Sequence, residues 1–163
     1  LDYSDDTAMA RCVVQSVLSR AGFDERDMAR RFAKEYSESP DRGYGSGVIH
    51  VLKKLSSSQL SDVFQPARDQ FNGRGSFGNG GAMRAAPFAL AFPKLTDVRR
   101  FARLGAMLTH SCSLGYNGAV LQALAVHLSL QGALDLPQQF ISRLIAEMED
   151  VENDEMSRND ARM

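Results

Sequence analysis

The sequence has 163 residues, of which 44% are apolar and 24% charged, and its net charge is −1. Such a length and composition suit one globular domain with a sizeable core. The near-neutral charge gives no electrostatic case for general nucleic-acid binding, and no apolar run approaches the roughly 20 residues of a membrane span. Cys12 and Cys112 have no CxxC partner, so we expect neither a disulfide framework nor a zinc site, which favours a reducing compartment.

Apolar residues recur at helical spacing over the first part of the chain, for example at Met9, Val13 and Val17. We expect Gly22 to end this helix as a C-cap and Asp24 to begin the next one as an N-cap. A loop rich in glycine and proline follows over residues 39–47, and a third helix is predicted from Val48 onwards. Residues 62–70 are predicted to form a short helical turn.

The second part of the chain is predicted to be helical as well. Pro87 should kink its helix or mark its first turn, and Thr96 or Asp97 should cap the next one. Residues 114–130 are apolar nearly all round, which is typical of a helix buried in a bundle.

No alternating strand pattern or internal repeat is evident in the sequence. A last helix is predicted over residues 136–148, and residues 150–163 are acidic and polar and should form a surface segment. We therefore predict a single domain over residues 1–163 with an all-α fold, a compact multi-helix bundle.

The first motif with chemical potential is YSDDT, residues 3–7, at the start of a predicted helix. One interpretation is a helix N-terminus whose acidic residues complement the dipole. The other is a hard-cation site, because the Ser4 hydroxyl and the Asp5 and Asp6 carboxylates supply the oxygen ligands that Mg²⁺ prefers. A bound cation would also relieve the repulsion between the two carboxylates, although further ligands must come from elsewhere.

The second motif is the glycine-rich segment FNGRGSFGNGGAMR, residues 71–84. Successive glycines let backbone N–H groups converge on an anion, and the segment leads into a helix N-terminus, which attracts phosphate. Arg74 adds a positive charge, and Phe71 and Phe77 could sandwich a nucleobase. The alternative is a flexible connector flanked by two core phenylalanines. The spacing is neither that of a Walker loop nor of a Rossmann fingerprint.

The third motif is LTHSCSLGYNG, residues 108–118, in which His110 stands at a predicted helix end. A lone histidine is more often structural than functional, so both interpretations stay open. His50 and His127 lie in apolar helices and are interpreted as packing residues. Gly115 and Gly118 indicate a tight turn or a close approach between helices.

Together these motifs resemble the ADP-ribosyl-acceptor hydrolase family. YSDDTAMA resembles its metal-binding run TDDTAMA, the glycine-rich segment resembles its ADP-ribose loop, and the third motif resembles its histidine segment. DRGYGSGV (41–48) and LQALAVHLSLQG (121–132) are similar to the type-three branch, which acts on ADP-ribosylserine. The resemblance covers nearly the whole chain, and several separate motifs in the right order make it specific.

The resemblance implies an all-α domain with a binuclear Mg²⁺ site at one end, for which Ser4, Asp5 and Asp6 are metal ligands. Ser4 stands where the family usually has threonine and keeps the hydroxyl group. Phe77 stands where the type-three enzyme has tyrosine, and Pro87 is a further departure that leaves the path of the following helix in doubt.

The resemblance also implies how ADP-ribose would bind. The loop from Arg74 to Gly80 would hold the diphosphate and the adjoining ribose, the two phenylalanines would stack on adenine, and the histidine would contact the distal ribose or a phosphate. The substrate-binding residues implied are Asp5, Phe71, Arg74, Gly75, Ser76, Phe77, Gly78, Asn79, Gly80 and His110.

The family's catalytic glutamate and its remaining metal ligands have no counterpart in this sequence. Glu25, Glu35 and Glu38 do not stand in a matching context. We therefore expect the 163 residues to be a core fragment, incomplete at both ends, that is inactive or nearly so alone and exposes apolar helix faces.

The expected activity is Mg²⁺-dependent hydrolysis of the bond between ADP-ribose and serine, and also of poly(ADP-ribose) and related esters. The expected partners are ADP-ribose and ADP-ribosylated proteins, with no direct nucleic-acid or membrane contact, and the protein is expected to be a monomer. The alternatives are an arginine-type hydrolase, a non-catalytic ADP-ribose-binding module and a structural pseudoenzyme. The resemblance suggests nucleus and cytoplasm, with a mitochondrial matrix pool if a transit peptide precedes Leu1.

Overall fold

The structure is a computed structural model that describes residues 3–57, 60–132 and 136–153. Eight α-helices and one short 3-10 turn account for its regular structure, and none of the described residues forms a strand. The helices are α1 (Asp5–Arg20), α2 (Glu25–Glu38), α3 (Ser46–Leu55), α4 (Gln65–Arg68), α5 (Ala86–Ala91), α6 (Leu95–Met107), α7 (Ser113–Leu130) and α8 (Pro137–Glu152), with the 3-10 turn at Ala82–Arg84. The all-α prediction is confirmed.

Helix α7 is the central element of the bundle. It packs against α5, α6, α8 and the 3-10 turn, while α1 packs against α2 and α5, and α2 against α3. Its buried face includes Tyr116, Val120 and Leu124. The prediction that α7 is buried nearly all round is wrong in part, because Leu114 and Leu130 are exposed.

Aromatic residues from the α1–α2 connection, from α5 and the residue after it, and from α6 pack together. The ring of Phe23 stacks on Phe101 at a centroid distance of 5.2 Å, and the ring of Phe92 lies 4.6 Å from the same residue. Phe88 packs against the backbone of Gly105, where an added Cβ would stand only 2.5 Å from the ring. The small residue therefore lets α5 and α6 approach closely.

Some predicted helix ends are confirmed and others are wrong. Asp24 caps α2, because its carboxylate accepts the amide hydrogen of Asp27 at 2.8 Å. Pro87 lies in the first turn of α5. Helix α1, however, ends at Arg20, and its C-cap Ala21 takes the left-handed backbone conformation expected of Gly22. Helix α6 begins at Leu95 and has no side-chain cap, so neither Thr96 nor Asp97 caps it.

Two further predictions concern the surface. His50 is exposed rather than packed, because it points away from the face of α3 that buries Val51 and Leu52. His127 is buried, as predicted. In the predicted surface segment 150–163, Val151 is buried, and residues 154–163 lie outside the described residues. No helix of the described part is long and apolar enough to cross a membrane.

Candidate active site

The three sequence motifs converge at one end of the bundle. The N-terminus of α1, the turn that leads into α3, the glycine-rich segment and His110, three positions after the end of α6, surround a cavity of about 250 Å³. Its lining is formed by Asp5, Met9, Tyr44, Gly45, Ser46, Gly47, Val48, Phe71, Ser76, Gly78, Asn79, Gly80, Met83, Arg84 and His110. Residues that are more than a hundred positions apart in sequence therefore share one concave surface.

The acidic motif forms the first turn of α1. Asp5 is half-buried and lines the cavity, whereas Asp6 is exposed beside it. The Ser4 hydroxyl donates a hydrogen bond to the Asp6 carboxylate at 2.6 Å. Burial, and then the neighbouring negative charge of Asp6, raise the pKa of Asp5. A cation bound beside Asp5 would therefore favour its ionised form.

These groups fit Mg²⁺ chemically, because all of them offer oxygen ligands. A cation would also reduce the electrostatic repulsion between the two carboxylates. In the ranges that the structure describes, no three or more His, Cys, Asp or Glu side chains are grouped so that they could hold a metal ion. Asp5 and Asp6 would therefore supply only part of the ligands of such an ion.

Arg42 holds the acidic motif against the turn before α3. Its guanidinium donates to the Tyr3 carbonyl at 3.0 Å and to the Glu35 carboxylate at 3.1 Å, and it lies 4.1 Å from the centre of the Tyr3 ring. The Asp5 amide donates in return to the Arg42 carbonyl at 2.9 Å. These contacts fix the position of Asp5 relative to the neighbouring cavity wall.

Tyr44 belongs to the same wall. It is buried, its ring meets Tyr36 edge-on at 5.2 Å, and its hydroxyl has no hydrogen-bond partner among the described residues. Burial, and then the negative charge of Glu35, raise the pKa of Tyr44 above its usual range. The phenol therefore stays protonated at neutral pH.

The glycine-rich segment begins with a sharp reversal of the chain. Phe71, Asn72 and Gly73 have φ angles of 52°, 59° and 84°, so three successive residues adopt the left-handed conformation. The amides of Gly73 and Gly75 both donate to the Gln70 carbonyl at 3.1 Å. Residues 72–81, five of which are glycines, lie in neither helix nor strand.

The glycine-rich segment lies directly on the residues around His110. A Cβ added at Gly80 would stand 2.8 Å from the imidazole Cε1, and one at Gly75 would stand 2.3 Å from the Ser111 hydroxyl. On the other side, a Cβ at Gly115 would stand 2.4 Å from the Ser76 carbonyl oxygen. Larger residues at these positions would push the loop away from the histidine. Gly115 does allow a close approach, but it is the loop and not a second helix that approaches α7 there, and the prediction is wrong for Gly118, whose added Cβ would meet no other element within 4 Å.

His110 is buried beneath the loop. Its Nδ1 lies 2.7 Å from the Thr109 hydroxyl, and its Nε2 faces Gly78 and Gly80. Burial, and then the nearby charge of Arg84, lower the pKa of His110 to about 3. The imidazole is therefore neutral at physiological pH and carries one N–H group.

The structure brings several of the predicted site residues together and leaves others outside the cavity. Asp5, Phe71, Ser76, Gly78, Asn79, Gly80 and His110 line it. Ser4, Asp6, Arg74, Gly75 and Phe77 do not. Phe71 is 53% exposed and Phe77 is 72% exposed, so the two rings project into solvent without enclosing a slot. The ligand contacts assigned to these residues stay predictions.

Sequence reasoning missed Met9, Tyr44, Met83 and Arg84, which also line the cavity. Tyr44 lies between Gly43 and Gly45 in the segment 41–48, which is similar to the type-three branch of the family. Glycines on both sides of an aromatic residue are a signal of a constrained turn and could have drawn attention to it. Arg84 is the last residue of the glycine-rich segment, where an arginine is ordinarily expected at the surface.

The all-α architecture and the grouping of an acidic helix N-terminus with a glycine-rich loop match one class of protein. The family model described as ADP-ribosylglycohydrolase matches residues 1–163, so the chain belongs to the ADP-ribosylglycohydrolase family.

Within that family the chain is similar to proteins named ADP-ribosylhydrolase ARH3. It is 72% identical to the one from Danio rerio and 60% identical to the one from Homo sapiens, in each case over 162 residues, 99% of this chain and 44% of the relative. The chain thus spans less than half the length of these relatives. A more distant match is an Escherichia coli protein, YegU, described as uncharacterized, which is 28% identical over 134 residues, 80% of this chain and 39% of the relative.

Proposed function

We propose that this chain provides part of the active site of a Mg²⁺-dependent glycosidase that hydrolyses the O-glycosidic bond between ADP-ribose and serine on modified proteins. Poly(ADP-ribose) and related ADP-ribose esters are further substrates. The observation that carries the proposal is the single cavity onto which Asp5, the glycine-rich loop and His110 converge. The 60–72% identity to proteins named ADP-ribosylhydrolase ARH3 supports the same activity, and serine is the acceptor used by the branch that the motifs resemble.

Ser4, Asp5 and Asp6 would hold the Mg²⁺ ions, two per site, at the N-terminus of α1. Bound there, such ions would supply Lewis-acid chemistry for the sugar hydroxyls and for water. The residues of this chain have a separate task, which is to bind the remote part of the ligand and so place the reacting carbon correctly. The catalytic acid or base is not assigned to any residue of this chain.

The loop amides between Ser76 and Gly80 would supply donors for the diphosphate, and the neutral His110 would add one further N–H. The Gly78 amide donates to the Ser76 hydroxyl at 3.3 Å in this structure. The exposed ring of Phe71 offers a stacking surface for adenine. The scissile bond joins the anomeric carbon of the distal ribose to the serine oxygen, and its cleavage passes through an oxocarbenium-like state. Fixing the diphosphate and the adenine leaves that sugar at the acidic end of the cavity.

The proposed partners are ADP-ribose and ADP-ribosylated proteins, bound by a monomeric protein that uses neither nucleic acid nor membrane. The proposed location is the nucleus and cytoplasm, with a pool in the mitochondrial matrix. These parts of the proposal rest on the family resemblance.

The test is release of ADP-ribose from a serine-modified peptide by the full-length protein, with and without Mg²⁺. We expect Mg²⁺-dependent release that falls about a hundredfold or more in the Asp5→Ala, Asp6→Ala double variant, because two of the metal-binding carboxylates are lost. Asp97→Ala is the matched control, since Asp97 lies in the first turn of α6 and outside the cavity lining.

Two results would contradict the proposal. Release from an arginine-linked substrate but not from serine would assign the protein to the arginine-type hydrolases. Binding of ADP-ribose without release from either substrate, and without a requirement for Mg²⁺, would indicate a binding module.

A further inference from the structure

Arg84 is the most deeply buried charged residue beside the cavity. Its side chain is 1% exposed, yet it contributes to the cavity lining. Its guanidinium donates to the carbonyls of Gly80 at 2.8 Å and Gly105 at 3.0 Å and to the Thr109 hydroxyl at 2.6 Å, and it lies 4.6 Å from the Phe32 ring centre. All four partners are neutral.

A buried cation usually has a carboxylate partner, since an uncompensated charge in a protein interior is costly. Among the described residues, none of the ion pairs involves Arg84, and its Nε–H has no acceptor. Burial lowers its pKa to about 10, so the side chain remains charged at neutral pH. The bundle thus carries an unbalanced positive charge directly beneath the loop proposed to hold a diphosphate.

The distances around Thr109 favour one direction of its hydrogen bonds. Arginine can only donate, so the Thr109 oxygen accepts from Arg84. The hydroxyl hydrogen then has two acceptors within reach, the His110 Nδ1 at 2.7 Å and the Ala106 carbonyl at 3.4 Å. The shorter contact is favoured. His110 Nδ1 therefore accepts, and the single N–H of the neutral imidazole lies on Nε2, which faces Gly78 and Gly80.

We propose that Arg84 is a positioning residue for the ligand's diphosphate. Through Thr109 it fixes His110 as a neutral imidazole whose Nε2–H points at the glycine-rich loop, and its own charge is balanced only when the anionic diphosphate occupies that loop. This inference rests on the proposed function, because it concerns the same ligand, but it can fail independently.

The sharpest test uses Thr109, because Val and Ser separate the shape of this residue from its hydrogen bond. Nitrogen-15 NMR of the imidazole of His110, assigned with a His110→Gln variant, reports the tautomer in the full-length protein without metal. ADP-ribose affinity is measured by titration under the same conditions. We expect Thr109→Ser to keep the Nε2–H tautomer and Thr109→Val to lose it, with an affinity for ADP-ribose about tenfold weaker.

Arg84 itself is tested with Arg84→Met and Arg84→Lys. We expect Arg84→Met to weaken ADP-ribose binding by about 30-fold or more, and Arg84→Lys to recover part of this loss because it restores the charge but not the full set of hydrogen bonds.

Thr96→Val is the control for Thr109→Val, since Thr96 is exposed on α6 and lies outside the cavity lining.

Several outcomes would overturn the inference. One is a folded Thr109→Val protein with an unchanged tautomer and an affinity within twofold of the wild type. Another is equal loss of affinity in folded Arg84→Met and Arg84→Lys variants. If the valine and methionine variants do not fold, the wild-type spectrum decides, because an Nδ1–H tautomer or a cationic His110 at pH 7 contradicts the proposal. Failure of the wild-type protein to bind ADP-ribose would instead contradict the proposed function.

Discussion

Two buried charges in this bundle differ in their partners: one is paired with opposite charges, and the other contacts neutral groups. Asp27, near the start of α2, is paired with Arg31 at 2.6 Å, Arg20 at 3.0 Å and Arg30 at 3.5 Å. Arg84, beneath the glycine-rich segment, has hydrogen bonds to neutral groups only. The first charge is compensated within the fold and supports stability. No carboxylate in the described part of the chain pairs with the second charge, which agrees with the proposal that an anionic ligand balances it.

The largest effect that would sharpen this comparison is expected from Asp27→Asn. The substitution removes the carboxylate charge from three arginines, and we expect the free energy of unfolding to fall by about 2 kcal/mol, less than for a fully buried pair because Arg20 and Arg30 are partly in solvent. Chemical denaturation measures this loss. ADP-ribose affinity should stay within twofold of the wild type, and a large loss of affinity would break the contrast between the two charges.

A smaller effect, on binding rather than stability, is expected from Gly80→Ala. The added Cβ would stand 2.8 Å from the His110 ring, so either the loop or the imidazole must move. We expect ADP-ribose binding to weaken about tenfold, which corresponds to about 1.4 kcal/mol. Isothermal titration of the full-length protein measures it.

Gly118→Ala is the matched control for Gly80→Ala. Gly118 lies in α7, and no atom is within 4 Å of its added Cβ. Alanine there should leave binding unchanged and raise stability by about 0.5–1 kcal/mol through helix propensity. Equal losses of affinity in the two variants would show that loop contact with His110 does not matter for binding.

The smallest effect is the pH dependence of the Asp27 contribution. Burial alone would raise the pKa of Asp27, but the hydrogen bonds, led by that from Arg31, outweigh burial and lower it below its ordinary value. A carboxyl with a depressed pKa in the folded state stabilises the fold above its unfolded pKa of about 4 and loses that contribution as pH falls through its folded pKa. The difference in unfolding free energy between wild type and Asp27→Asn should therefore shrink on acidification. A difference that is constant from pH 6 to pH 3 would contradict the charge-based explanation.

The sequence was sufficient to predict features that depend on local spacing. The helices follow from apolar residues at helical intervals, and the Asp24 cap from a side chain that bonds an amide three residues later. The position of His50 was predicted wrongly because apolar neighbours do not say which face of a helix a residue occupies.

The role of Arg84 could not be predicted because its partners are distant in sequence. Gly105 and Thr109 follow it by 21 and 25 residues. Only the folded bundle, in which α7 packs against both α6 and the 3-10 turn, brings them within hydrogen-bonding distance, and no local pattern encodes that contact. In the same way, the glycines of the loop suggested an anion site, but the contact of Gly80 with His110 required the folded chain.

The non-glycine residues with left-handed backbone conformation indicate where the protein can be stabilised by substitution. Non-glycine residues in this conformation cost on the order of 1 kcal/mol each, and this chain accepts that cost at Ala21, Phe71 and Asn72. Ala21 follows the end of α1 opposite to Asp5 and does not line the cavity, so glycine there should yield a more heat-resistant protein without altering the cavity. Relaxing the turn at Phe71 and Asn72 would reorient a ring of the cavity wall. A gain in heat resistance is thus expected to leave the cavity unchanged at Ala21 and to alter the cavity wall at Phe71 and Asn72.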